Sequence, residues 1–193
     1  MNLDLLSIVA VAFAGSFGHC LGMCGGLVLA YSSAKMDSSL SKNAQLIRHL
    51  AYHFGRISVY IIIGIIAGFF GSFISLKLSL AAPLYVLAGL IMLLTAFAML
   101  GISKALLSIE YSLQKYSWFK KSFSFLIKSQ SLASFYGLGA LNGLFPCGFV
   151  YFFLAKAAVS GSFYGGALTM AIFGLATIPA LTLLGSSASF FRN

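Results

Sequence analysis

Three cysteines sit where lipid-facing sequence would use leucine or valine. Two are in Gly18-His19-Cys20-Leu21-Gly22-Met23-Cys24-Gly25-Gly26, and the third is in Asn142-Gly143-Leu144-Phe145-Pro146-Cys147-Gly148. On a helix, residues four apart share a face, so Cys20 pairs with Cys24, and His19 with Met23 on the adjacent ridge. At 100° per residue the four span about 140° of the helix surface. Two thiols, an imidazole and a thioether form a soft ligand set suited to copper(I) or zinc, although the spacing does not match the usual zinc patterns. The metal reading takes His19, Cys20, Met23, Cys24 and Cys147 as ligands.

Cysteines on different helices can instead form a reversible disulfide if their Cα atoms come within roughly 4.4–6.8 Å. Gly22, Gly25, Gly26, Gly143 and Gly148 would let helices approach closely. Pro146 removes a backbone hydrogen bond and breaks its helix just before Cys147. The freed N–H groups are suited to activating a thiol for exchange. Against both readings stands the cysteine as small apolar filler. That explanation suits one cysteine better than three confined to two matching Gly-rich segments.

The elements that must position these groups are membrane helices. Apolar residues make up 60% of the chain and charged residues 8%, far below the roughly 25% charged of a soluble domain. Mean hydropathy is +1.00. The apolar runs are continuous rather than alternating, which favours helices over barrel strands. The expected fold is an all-α polytopic membrane protein with five spans, near Leu5–Tyr31, Phe54–Ile74, Leu78–Leu100, Leu132–Ala158 and Phe163–Gly185. The first lacks a basic leader, carries Asp4 and is too long for a signal-peptide core, so it reads as a span. Paired carboxylates, a nucleophile–base set and a phosphate loop are all missing from the sequence, so hydrolase chemistry has no support.

The net charge of +9 has a topological explanation and does not imply nucleic acid. Lys35, Lys42, Arg48, Arg56, Lys104, Lys115, Lys120, Lys121, Lys128 and Arg192 fall on one side of the five-span threading. Lys77 and Lys156 fall on the other. Positive charge marks the cytoplasmic side, which places the N-terminus outside and the C-terminus inside a bacterial-type inner membrane. Residues 102–131 interleave lysines with Leu106, Trp118, Phe123 and Phe125. That pattern suits an amphipathic segment on the anionic inner leaflet, with a docking surface for a cytoplasmic partner as the alternative.

Placing Cys24 on Cys147 also places Gly25 on Gly148 and His19 on Asn142. Three spans separate the motifs, an odd number, so the halves would be inverted in the membrane. Transporters use such repeats, with Gly- or Pro-interrupted helices building a central site. The single transmembrane domain, 1–193, divides into a first repeat (1–101), a cytoplasmic loop (102–131) and an incomplete second repeat (132–193). The sixth helix is expected to be lost or truncated.

Other polar groups have blander readings. His49 and His53, with Tyr52 and Arg48, suit an interfacial polar belt, although the histidine pair has metal-binding spacing. Arg56 and Lys156 are expected to snorkel. Asn142 and Thr177 line a cavity or bond across helices, and Pro179 breaks the fifth span.

The two cysteine motifs, with Phe173-Gly174-Leu175-Ala176-Thr177-Ile178-Pro179-Ala180, resemble the UreH-like transmembrane family. That family is related to the CcdA/DsbD thiol–disulfide transporters and is often labelled sulfite exporter (TauE/SafE-like). The resemblance implies inverted three-helix repeats with one redox cysteine each, roles that would carry over to Cys24 and Cys147. It also implies a cytoplasmic thioredoxin-like donor, periplasmic thiol proteins as acceptors, and a use in cytochrome c or metallo-oxidase biogenesis. Met23-Cys24 departs from the Pro-Cys of better-characterised relatives, and Cys20 is additional. These departures keep a soft-metal, copper-type or small-anion transporter as the alternative. A homo-oligomer is compatible with either.

Overall fold

The computed structural model describes residues 2–36, 41–73, 117–144 and 147–190, with positions 83, 85–87, 89–90, 93 and 97. The described residues are helical and contain no strand. In chain order the helices are α1 (Asn2–Gly15), a π-helical turn (Ser16–Cys20), α2 (Leu21–Met23), α3 (Gly25–Lys35), α4 (Lys42–Phe73), α5 (Ser117–Lys128), α6 (Leu132–Gly143), α7 (Gly148–Val159), α8 (Phe163–Ala176) and α9 (Ile178–Phe190).

Two segments can cross a bilayer by length and hydropathy alone: Lys42–Phe73, and Phe163–Ser187 with its interruption at Thr177. Two more do so as bent pairs. Leu5–Cys20 joins Gly25–Lys35 at 70°, and Leu132–Gly143 joins Gly148–Val159 at 79°. That makes up to four spans among the described residues. The expected span at 78–100 lies mostly outside them, as do Pro146 and residues 102–116.

α4 is the spine of the bundle, and glycines let its neighbours approach. A Cβ on Gly55 would lie 2.0 Å from the Tyr136 carbonyl oxygen, and one on Gly139 would lie 1.8 Å from that of Tyr52. Helices α4 and α6 are therefore in backbone contact. On the other side Gly64 meets Gly166, Gly68 meets Ser162, and Gly174 meets Ile57 and Tyr60. Contacts that ascend α4 descend α8, so these helices are antiparallel, whereas α4 and α6 ascend together.

Local chemistry sets the ends. Ser131 caps α6, accepting from the Ser134 N–H at 3.3 Å, and Ser162 caps α8, accepting from the Gly165 N–H at 3.5 Å. Between α7 and α8 the chain turns at Gly161, whose φ of +58° favours glycine. Pro179 lies in the first turn of α9, just after the helix is interrupted at Thr177, and Phe163–Ser187 still passes as one span by length and hydropathy. α4 begins well before the expected Phe54, because Arg48, His49, Tyr52 and His53 belong to its length. In the amphipathic α5, Trp118 and Phe125 are exposed while Phe123, Leu126 and Ile127 pack on the core.

Candidate functional site

Each broken span turns at a cysteine followed by a glycine. Cys24 is the N-cap of α3 and Cys147 the N-cap of α7. The backbone differs between them. Cys24 keeps helical angles (φ −84°, ψ −17°), donates its N–H to the Cys20 carbonyl at 2.9 Å, and accepts from the Val28 N–H at 3.1 Å. Cys147 is extended (φ −106°, ψ 156°), and its thiol faces the N–H groups of Phe149 and Val150 without closing a cap hydrogen bond. Those N–H groups and the helix dipole are oriented for negative charge on sulfur.

Cys20, Cys24 and Cys147 are all buried in one apolar core, and no disulfide joins them. Cys147 lies within Coulombic reach of Cys24 and Cys20. The two broken spans meet here: the Phe149 ring lies 5.7 Å from the His19 ring and fills the space a Cβ on Gly15 would need. The His19 Nε2 is buried and has no hydrogen-bond partner.

The remaining expected site residues distribute as follows. Gly25 is buried against Leu184, and Gly143 against Arg56 and Val59. Gly148 is buried as the first residue of α7. Gly22 and Gly26 are exposed, and a Cβ on Gly26 would meet nothing within 4 Å. Close approach to neighbouring backbone is also made by Gly55, Gly64, Gly68, Gly71, Gly139 and Gly166. Asn142 is buried and its Nδ2 donates to the Tyr52 hydroxyl. Among the described residues no three of His, Cys, Asp or Glu converge closely enough to hold a metal ion.

The largest departure from the sequence reading concerns α4. His49 and His53 are core residues rather than an interfacial belt. His49 Nδ1 hydrogen-bonds the Tyr31 hydroxyl at 2.8 Å, and His53 Nε2 the Thr182 hydroxyl at 2.9 Å. Arg56 does not snorkel. It is 1% exposed, donates from one terminal nitrogen to Thr177 Oγ1, and lies 5.4 Å from the Tyr60 ring centroid. Its Nε and Nη1 are buried without a partner. The groups within Coulombic reach of it include Tyr60, Cys24, Tyr52 and Cys20, and none of these is a carboxylate.

The magnitudes do not balance. An ion buried without a counter-charge costs several kcal/mol. A hydroxyl bond to a charged group returns about 1.5–3 kcal/mol, and a cation–π contact about 0.5–2 kcal/mol. Hydropathy cannot reveal such a residue. The spacing of His49, Tyr52, His53, Arg56 and Tyr60 can, because it is a polar stripe with helical period running into an apolar span.

The family described as cytochrome C biogenesis protein transmembrane region matches residues 7–193. The chain belongs to that family. The match carries the cytochrome c biogenesis side of the expected resemblance, and with the spans above it makes the chain a multi-pass membrane protein. No curated protein and no solved structure is significantly similar to it.

Proposed function

We propose that this family member carries reducing equivalents across the membrane by thiol–disulfide exchange at Cys24 and Cys147. The observation that supports the reading most is the equivalence of the two sulfurs. Each is the N-cap of the second half of a broken span, and both belong to one buried core. Filler cysteines have no reason to share that position.

The exchange balances as a two-electron, two-proton step. The Cys24 and Cys147 thiols are oxidised to a Cys24–Cys147 disulfide as an acceptor disulfide outside is reduced to two thiols. A thioredoxin-like dithiol on the cytoplasmic side then reduces the pair and becomes a disulfide itself. The family description supports use of the acceptor in cytochrome c biogenesis, with metallo-oxidase assembly as a related use.

Thiol trapping tests the reading. Full-length protein in nanodiscs is oxidised, alkylated, and mapped by mass spectrometry, then treated with reduced thioredoxin. The expected result is a Cys24–Cys147 bond that thioredoxin opens and that Cys24→Ser and Cys147→Ser both remove. Failure of that bond to form under any oxidant refutes the relay.

A further inference from the structure

We infer that Arg56 is the counter-charge for the Cys24 sulfur when the disulfide opens, so that Cys24 leaves as the thiolate and Cys147 is the sulfur attacked. This rests on the proposed exchange between the two cysteines and adds a direction to it. The argument starts from the arginine. A guanidinium at 1% exposure, with two nitrogens unpartnered, sits in an apolar core. Thr177 fixes one end of it, and the Tyr60 ring lies beside it. Gly143 leaves room for the α4 backbone at Arg56.

Cys24 and Cys20 are within Coulombic reach of that charge, with Tyr60 and Tyr52. Of these side chains a thiol ionises far more readily than a phenol, and Cys24 is the one that matches Cys147 in position. The charge an exchange reaction must create on sulfur is therefore the charge Arg56 lacks. Cys147 faces the N–H groups of Phe149 and Val150 at the start of α7. A helix terminus offers about half an elementary charge, against the full charge of a guanidinium.

Written out, a donor thiolate attacks the Cys147 sulfur and forms a donor–Cys147 mixed disulfide as the Cys147–Cys24 bond breaks. The bonding pair departs on Cys24 as a thiolate beside Arg56. The negative charge enters on the donor and ends on Cys24, so no further reductant is needed. Thr177 is a positioning residue that aims the guanidinium.

Glutathione serves as the probe. Oxidised full-length protein in nanodiscs is mixed with excess glutathione, acid-quenched at early times, alkylated, and mapped by mass spectrometry. The expected adduct is glutathione on Cys147 with the alkyl label on Cys24. Arg56→Gln slows opening on the order of tenfold or more and moves part of the adduct to Cys24. Arg56→Lys keeps the charge and restores most of the rate, and Thr177→Val falls between them.

An adduct mainly on Cys24 in the wild type overturns the inference. So does opening of the Arg56→Gln variant at the wild-type rate. Either result leaves the Cys24–Cys147 relay standing. If Arg56→Gln does not fold, the wild-type adduct position decides alone. Absence of any Cys24–Cys147 bond removes the relay, and this inference with it.

Discussion

The two broken spans place a cysteine at the same point but reach it by different routes. In the second, the backbone opens fully: Cys147 is extended and α7 starts afresh at Gly148. In the first, the chain never leaves helical angles. It passes through a π-helical turn and a short α2, then redirects at Cys24 while keeping its hydrogen bonds to Cys20 and Val28. A full break exposes backbone N–H groups and supplies positive potential from the chain itself. At Cys24 two backbone hydrogen bonds persist through the redirection, and the nearby positive charge belongs to a side chain on another helix, Arg56. Position is shared by the halves, whereas the means of stabilising charge is not.

The comparison breaks most sharply at the sulfurs. Transfer of electrons from reduced thioredoxin outside vesicles to an enclosed disulfide dye should be abolished equally by Cys24→Ser and Cys147→Ser, whereas Cys20→Ser retains most of it. Equal loss in Cys20→Ser would mean that the first half uses a different sulfur. Next in size is packing. Gly139→Val drives side-chain atoms into the Tyr52 carbonyl, and overpacking there should cost about 3 kcal/mol or more, read as a large drop in thermal unfolding temperature in detergent. Asn142→Leu leaves the buried Tyr52 hydroxyl without its donor, which should cost about 1–3 kcal/mol in the same assay. Smallest is Gly26→Ala in the first half, where a Cβ meets only open space. Its effect should stay within about 0.5 kcal/mol, and a large loss there would show that the glycines beside Cys24 pack as tightly as those of α4.

Hydropathy located the spans around α4, α8 and α9, because lipid demands a long apolar segment and little else. The same measure cut the start of α4 at Phe54, since it cannot tell a polar side chain facing the bundle from one facing water. Arg48 shows the difference: its guanidinium lies 5.5 Å from the Phe135 ring centroid and donates to the Lys35 carbonyl. Lys35 itself is buried and donates to Ser134 Oγ and the Leu126 carbonyl. The shared Cys-Gly pointed to matching positions, and Cys24 and Cys147 are both N-caps within broken spans. The redirection at Cys24 was not legible, because no proline marks it and a π-turn leaves no compositional trace. Arg56 was seen and misread, for a snorkelling and a buried arginine have the same sequence at the mouth of a span.

The length of α4 sets a limit on how partners engage. Its 32 residues rise about 48 Å at 1.5 Å each, against a hydrocarbon layer of about 30 Å. Arg56 and Tyr60, which face Cys24, lie at the middle of that helix. Counted along the axis, Arg56 is about 21 Å from the first residue of α4 and about 26 Å from the last. For the proposed relay, a globular donor resting at an end of α4 would fall short of the Cys24 sulfur beside Arg56. Under that proposal, either its reactive cysteine rides on a protruding strap, or the sulfur-bearing half-helices travel to meet it.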